Sequence, residues 1–223
     1  ILRQDPDIIL VGEMRDRETA QIGVEAALTG HLVLSTLHTN DAPGAVARLG
    51  EMKAARYLVA GGLIGVLAQR LVRRLCADCR TVEPVAGDEL YALGLPTPPH
   101  LPRPVGCRAC GGTGYRGRVG VYELLPVDSA IRELILDGAP ADTIREAAST
   151  SGMTSLPADA WARVDEGTTS LDSTQIAEAR ERLGASLTTS ATLDRTTVSF
   201  AGGMEATVPG GAEVTILPSV SGG

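Results

Sequence analysis

The chain has 223 residues, 43% of them apolar and only 3% aromatic, with a net charge of −7 at neutral pH. That is room for one large domain or two small ones around an aliphatic core. No run of about 18 apolar residues suggests a spanning helix, no signal peptide is visible, and the acidic balance argues against general nucleic-acid binding.

In chain order, the apolar run Ile8-Ile9-Leu10-Val11 ends at Gly12-Glu13, and a second run, Leu32 to Leu37, ends at His38. Short runs rich in Val, Ile and Leu suit strands buried on both faces of a parallel sheet. Ligands of such sheets bind beyond the carboxyl ends of the strands, which is where Glu13 and His38 stand. Between the runs, Asp16 to Leu28 has helical spacing, with Gly30 as a stop. Asn40 or Asp41 caps a helix over Ala42–Met52 with Pro43 in its first turn. Ala55 to Leu75 reads as one longer helix, its apolar residues near a 3.6 period and Arg70, Arg73 and Arg74 in its last turns. Residues 81–106 read as an irregular insert because Pro96, Pro98, Pro99, Pro102 and Pro104 oppose regular structure. Val119–Leu125 is a strand candidate, and Ser129–Leu136, Ala141–Ser149 and Ser155–Glu166 are short helix candidates. Beyond Leu171, Gln175–Leu183 is a helix candidate, and Val198–Ala201 and Glu213–Leu217 are strand candidates between glycine-rich turns.

All four cysteines fall in one pattern: Cys76-Ala-Asp-Cys79 and, after 27 residues, Cys107-Arg-Ala-Cys110. Two such knuckles supply a closed tetrahedral shell of four thiolates for Zn2+, a structural and not a catalytic site. Disulfides are the competing reading, disfavoured by the lack of a secretion signal. Cys107 to Gly114 also fits a C-x-x-C-x-G-x-G chaperone unit, but Cys76 and Cys79 lack the glycines. From Arg70 to Arg118 eight arginines stand against four acids. That cluster reads as a solvated surface or as a contact patch for an acidic partner or phosphate.

These residues also carry a family resemblance. Leu2-Arg3-Gln4-Asp5-Pro6-Asp7 through Gly12-Glu13-Met14-Arg15-Asp16 resembles the Walker B region of the type II secretion and type IV pilus assembly ATPases. Thr29-Gly30-His31 through His38-Thr39-Asn40 resembles their histidine box. Leu67-Ala68-Gln69-Arg70 leading into Cys76, and Gly114-Tyr115-Arg116-Gly117-Arg118-Val119-Gly120-Val121-Tyr122-Glu123, are similar to the segments flanking that family's cysteine pairs. The resemblance covers about residues 1–171. It implies an α/β fold: the second half of a RecA-like ATPase core over 1–75, a parallel sheet with helices. A tetracysteine zinc insert over 76–118 and a C-terminal helical part over 119–171 would follow. It further implies ATP and Mg2+ as ligands, a homo-hexameric ring, inner-membrane secretion platform proteins as partners, and a cytoplasmic place at the inner membrane. The tetracysteine insert points to the assembly or export branch.

Phosphoryl transfer needs a metal, a placed water and a sensor for the terminal phosphate. Glu13 is the candidate for the metal shell or its water, His38 for the sensor, Gly12 for a nucleotide contact, and Arg15 for a phosphate contact, a bridge between subunits or an ordinary salt bridge. His31 begins the strand that His38 ends, roughly 23 Å away at about 3.3 Å per residue. It therefore reads as a structural histidine or one acting across a subunit interface. No G-x-x-x-x-G-K-[ST] loop occurs in the chain, so the chain is expected to begin inside a larger protein and not to hydrolyse ATP alone.

The last stretch reads differently. Gly211-Ala212-Glu213-Val214, Pro218 and the terminal Gly222-Gly223 resemble the end of the sulfur-carrier subunit of molybdopterin synthase, a ubiquitin-like β-grasp protein. This implies a partial carrier over 172–223 that works through a thiocarboxylate at Gly223, and a sequence join near Leu171. Motor subunit, sulfur carrier and zinc-centred binding module are thus the three functional readings, in that order.

Overall fold

The computed structural model describes residues 6–84 and 100–171, and the backbone of three short strands in the tail. In chain order the elements are β1 (Ile8–Val11), α1 (Arg17–Leu28), β2 (Leu32–Ser35), α2 (Ala42–Glu51), α3 (Arg56–Gly62), β3 (Gly65–Leu75), β4 (Thr81–Pro84), β5 (His100–Arg103), β6 (Tyr115–Pro126), α4 (Ser129–Asp137), α5 (Ala141–Thr150), α6 (Leu156–Asp165), β7 (Val198–Ser199), β8 (Glu205–Ala206) and β9 (Val214–Leu217). The architecture is α/β. A five-stranded sheet has the order β1-β2-β9-β3-β6, and β4-β5 and β7-β8 form two-stranded sheets.

The described residues divide into two compact units. The first draws on 1–69, 123–154 and 193–223, the second on 70–122 and 155–192. In the first, β1 and β2 pair in parallel from Ile8↔Leu32 to Val11↔Ser35. The intervening α1 starts where Asp16 accepts a hydrogen bond from the Thr19 N–H at 2.8 Å, the cap that a helix needs for its orphan donors. Ala20, Val24 and Ala27 on its inner face are fully buried. Helices α2 to α5 pack pairwise, and Leu49, Leu63, Ile131 and Ile144 are almost wholly withdrawn from water. Each such side chain contributes about 1.5–3 kcal/mol.

Three sequence expectations are corrected. The long helix over 55–75 is instead α3 followed by the strand β3. Gly61-Gly62 breaks the helix, and Gly65 to Gln69 are all buried, as in a strand covered on both faces, where no periodicity separates strand from helix. A side chain at Gly62 would come within 3.2 Å of Val24 Cγ1, so this glycine also sets the approach of α3 to α1. Secondly, the insert is not irregular at its ends. β4 and β5 pair antiparallel with Pro102 opposite Val82 and Pro84 opposite His100, a two-stranded ribbon whose outer edges tolerate proline. Thirdly, the sheet is mixed and partly open. β9 runs antiparallel to both β2 and β3, and on β1 Ile8 and Leu10 are 52% and 75% exposed.

The remaining elements match their expected positions within a few residues; the helix candidate Gln175–Leu183 lies outside the described residues. No described helix is long and apolar enough to cross a membrane.

Candidate functional site

At the carboxyl ends of β1 and β2 the chain makes a small polar cluster within the first unit. The Thr36 hydroxyl donates to the Gly12 carbonyl at 2.7 Å, and the Met14 N–H donates to the Thr36 carbonyl at 3.0 Å. These bonds fix Glu13 between them. Its carboxylate, 19% exposed, lies 2.5 Å from Arg15 Nε through Oε2 and 2.7 Å from His38 Nε2 through Oε1. Arg15 and His38 are themselves 75% and 84% exposed. The three residues singled out in the sequence therefore meet. Although His38 approaches closely, no hydrogen-bond donor among the described residues is aligned on the buried Oε1. That leaves an acceptor suited to a hard cation or its water. No described atom lies within 4 Å of where a side chain at Gly12 would begin, and Arg15 also lines an open cleft with Asp16, Arg17, Arg48, Glu51 and Lys53.

His31 stands apart from this cluster. Its Nδ1 lies 3.0 Å from the Ala26 carbonyl and 3.2 Å from the Thr29 hydroxyl, at the C-terminal end of α1.

In the second unit the four cysteine sulfurs converge within 4.8 Å of one another. Cys76–Cys107 are 3.9 Å apart, and Cys79–Cys110 and Cys107–Cys110 are both 3.8 Å apart. A tetrahedral zinc with Zn–S of about 2.3 Å requires sulfurs about 3.8 Å apart. All four cysteines are free, and their spacing is far beyond a disulfide bond of about 2.05 Å. The knuckles are shaped by the backbone. Cys107 N–H and Gly114 N–H donate to Cys110 Sγ at 3.1 and 3.2 Å, and Cys76 N–H donates to the Gly114 carbonyl at 2.9 Å. Gly114 has φ +76, and a side chain there would strike Pro104 at 2.5 Å. Hydrogen bonds from the Cys107 and Gly114 N–H groups, working against burial, bring the Cys110 thiol down to about 6. Burial, aided by the neighbouring thiols, pushes Cys79 up to about 12. Four thiols so disposed cannot all ionise without a cation among them. The donor set fits zinc.

The arginine cluster is partly absorbed by structure. Arg73 stacks 4.0 Å over the Tyr115 ring, Arg74 Nε donates to the Arg116 carbonyl at 3.2 Å, and Arg80 donates to the Gly167 carbonyl at 2.5 Å. Gly223, the tail residue named for the carrier reading, lies outside the described residues. Sequence alone assigns no role to Glu123 or Arg145, both of which the structure ties to the loop following His38.

Comparison with known proteins gives the family. Residues 1–180 match the family of type II/IV secretion system proteins. The type II secretion system protein E of Aeromonas hydrophila is 49% identical over 174 residues, covering 77% of this chain and 34% of its own length. The type IV pilus assembly ATPase PilB of Thermus thermophilus is 49% identical over 175 residues, covering 77% of this chain and 20% of its own length. The chain thus spans about a third or less of the curated relatives it matches. Among solved structures, the Legionella pneumophila ATPase DotB aligns with a TM-score of 0.54 at 24% identity, over 80% of this chain and 40% of that one, a likeness of fold. The chain belongs to the type II/IV secretion system protein family.

Proposed function

We propose that the chain is the phosphate-processing part of a motor ATPase that drives protein export or pilus assembly. The observation that supports this most is the Glu13 carboxylate at the carboxyl ends of two parallel strands, touching His38 and Arg15 and keeping one buried oxygen without an aligned donor among the described residues. Glu13 would hold Mg2+ or a water of its shell through Oε1. Bound Mg2+ supplies charge neutralisation on the phosphate oxygens during in-line transfer. His38, on the open side of the cluster, turns from Glu13 to the terminal phosphate and reports its departure. Arg15 balances Glu13 and offers a fork to a phosphate oxygen. Gly12 leaves the approach clear. The cysteine cluster carries Zn2+ as a structural tie.

In this reading the whole motor is a homo-hexamer on the cytoplasmic face of the inner membrane, working against platform proteins of the secretion machine. The names of two relatives, a type II secretion system protein and a type IV pilus assembly ATPase, support the link to secretion or pilus assembly. With no G-x-x-x-x-G-K-[ST] loop in it, the chain by itself is expected to show no turnover of ATP.

The site can be tested without turnover. Mn2+ with ATP, a paramagnetic stand-in for Mg2+–ATP, should broaden the NMR signals of Gly12, Glu13 and His38 first, and Glu13→Gln should abolish the effect. Broadening centred elsewhere, or unchanged in Glu13→Gln, would overturn the assignment.

A further inference from the structure

The histidine loop ends where α2 begins, four residues after His38, and the first turn of that helix is held in an unusual way. A helix start leaves backbone donors without intrahelical partners. Here the Ala42 N–H donates to Glu123 Oε1 at 2.8 Å. Pro43 has no N–H. The Gly44 N–H donates to Asp41 Oδ1 at 2.8 Å. The first three helical residues therefore have no donor left for an anion.

Glu123 reaches this point from β6, 81 residues away in sequence, and it is only 2% exposed. Burying a carboxylate is costly unless hydrogen bonds and opposite charge meet it; the positive end of α2 and the Ala42 N–H do so here. Asp41 is fastened in turn. Its Oδ2 accepts from Arg145 Nη2 at 2.8 Å, while Arg145 Nη1 pairs with Asp142. The Thr39 hydroxyl donates to the Asp41 carbonyl at 3.0 Å. Two carboxylates and one arginine, from β6, the helix cap and α5, thus converge on the segment that leaves His38.

We propose that Glu123 is a positioning residue for His38: its buried carboxylate fixes the first turn of α2, the Asp41–Arg145 pair fixes the cap, and together they hold His38 against Glu13. The meaning of this for phosphate sensing rests on the reading of the site given above; the clamp itself does not. Because the donors at the start of α2 are consumed, that helix end is closed to phosphate, and contact with an anion falls to the His38 ring.

The experiment uses the whole chain without nucleotide, so that it stands apart from the Mn2+–ATP test. Amide exchange of residues 39–44 and the 15N and 1H signals of the His38 ring are recorded for wild type, Glu123→Gln, Glu123→Leu and Arg145→Gln, with zinc content as a control on the second unit. Gln retains the acceptor for the Ala42 N–H, so Glu123→Gln should keep the wild-type pattern. Glu123→Leu should speed exchange at Ala42 at least tenfold and move the His38 ring signals. Arg145→Gln, a milder change at a half-buried residue, should move the His38 signals while leaving Ala42 protected. Unmoved His38 signals in both Glu123→Leu and Arg145→Gln would overturn the proposal, as would a Glu123→Gln change as large as that of Glu123→Leu. If Glu123→Leu fails to fold, Arg145→Gln and Glu123→Gln decide by the same criteria.

Discussion

At Glu13 an exposed arginine and an exposed histidine meet one largely buried carboxylate, and the balance between them decides what else it can bind. Arg15 engages Oε2, while Oε1 has His38 near it and no aligned donor among the described residues. These residues are legible in the sequence because a carboxylate and a histidine directly after apolar strands stand where parallel sheets bind ligands. Glu123 is not legible: its partner is 81 residues away, and nothing local distinguishes a buried acid from an exposed one. Titration gives two further predictions. The Thr19 backbone N–H, then its hydroxyl, hold Asp16 below its ordinary pKa. Its contribution is therefore full above the unfolded aspartate pKa and is lost as pH falls through the lowered one. Asp16→Asn, which caps without that titration, should flatten the acid limb of α1 protection in amide exchange. At the cysteines, zinc must displace thiol protons, chiefly at Cys79, pushed up to about 12. Zinc affinity, read by competition with a chromophoric chelator, should weaken as pH falls; an affinity flat between about pH 8 and 6 would count against a thiolate site.

Among the elements, helices with a marked start are the ones the sequence announces. Asp16, Asp41, Asp128 and Ser155 each accept a hydrogen bond from the first turn of α1, α2, α4 and α6, and such caps are local signals. The stretch through β3 misleads because its apolar spacing fits either structure and only the pair Gly61-Gly62 marks the break. That break is also a packing requirement. Gly62→Val should cost about 1–3 kcal/mol through overpacking against Val24, visible as a lower thermal midpoint. In the cysteine ribbon Gly114→Ala forces a side chain into Pro104 at a left-handed backbone position. Zinc content should fall well below one per chain, whereas Gly111→Ala, with nothing within 4 Å, should retain more metal.

For the molecule as a whole, the sequence motifs convey family and chemistry further than they convey topology. Walker B and histidine-box resemblance places the polar cluster on the right strand ends. The direction of β9 within the main sheet is beyond reach, since pairing partners distant in sequence leave no periodicity of their own. That strand lies outside the family match, which ends at residue 180, yet it pairs with β2 and β3 of the matched part. In the function proposed above, Glu13 is the metal-holding carboxylate of an ATP-driven motor. A chimera in which residues 1–171 replace the matching segment of the Aeromonas hydrophila relative tests it directly by steady-state release of phosphate from ATP. The chimera should turn over, and Glu13→Gln should lower its rate at least about tenfold; a Glu13→Gln chimera working at the parent rate would contradict the assignment of Glu13.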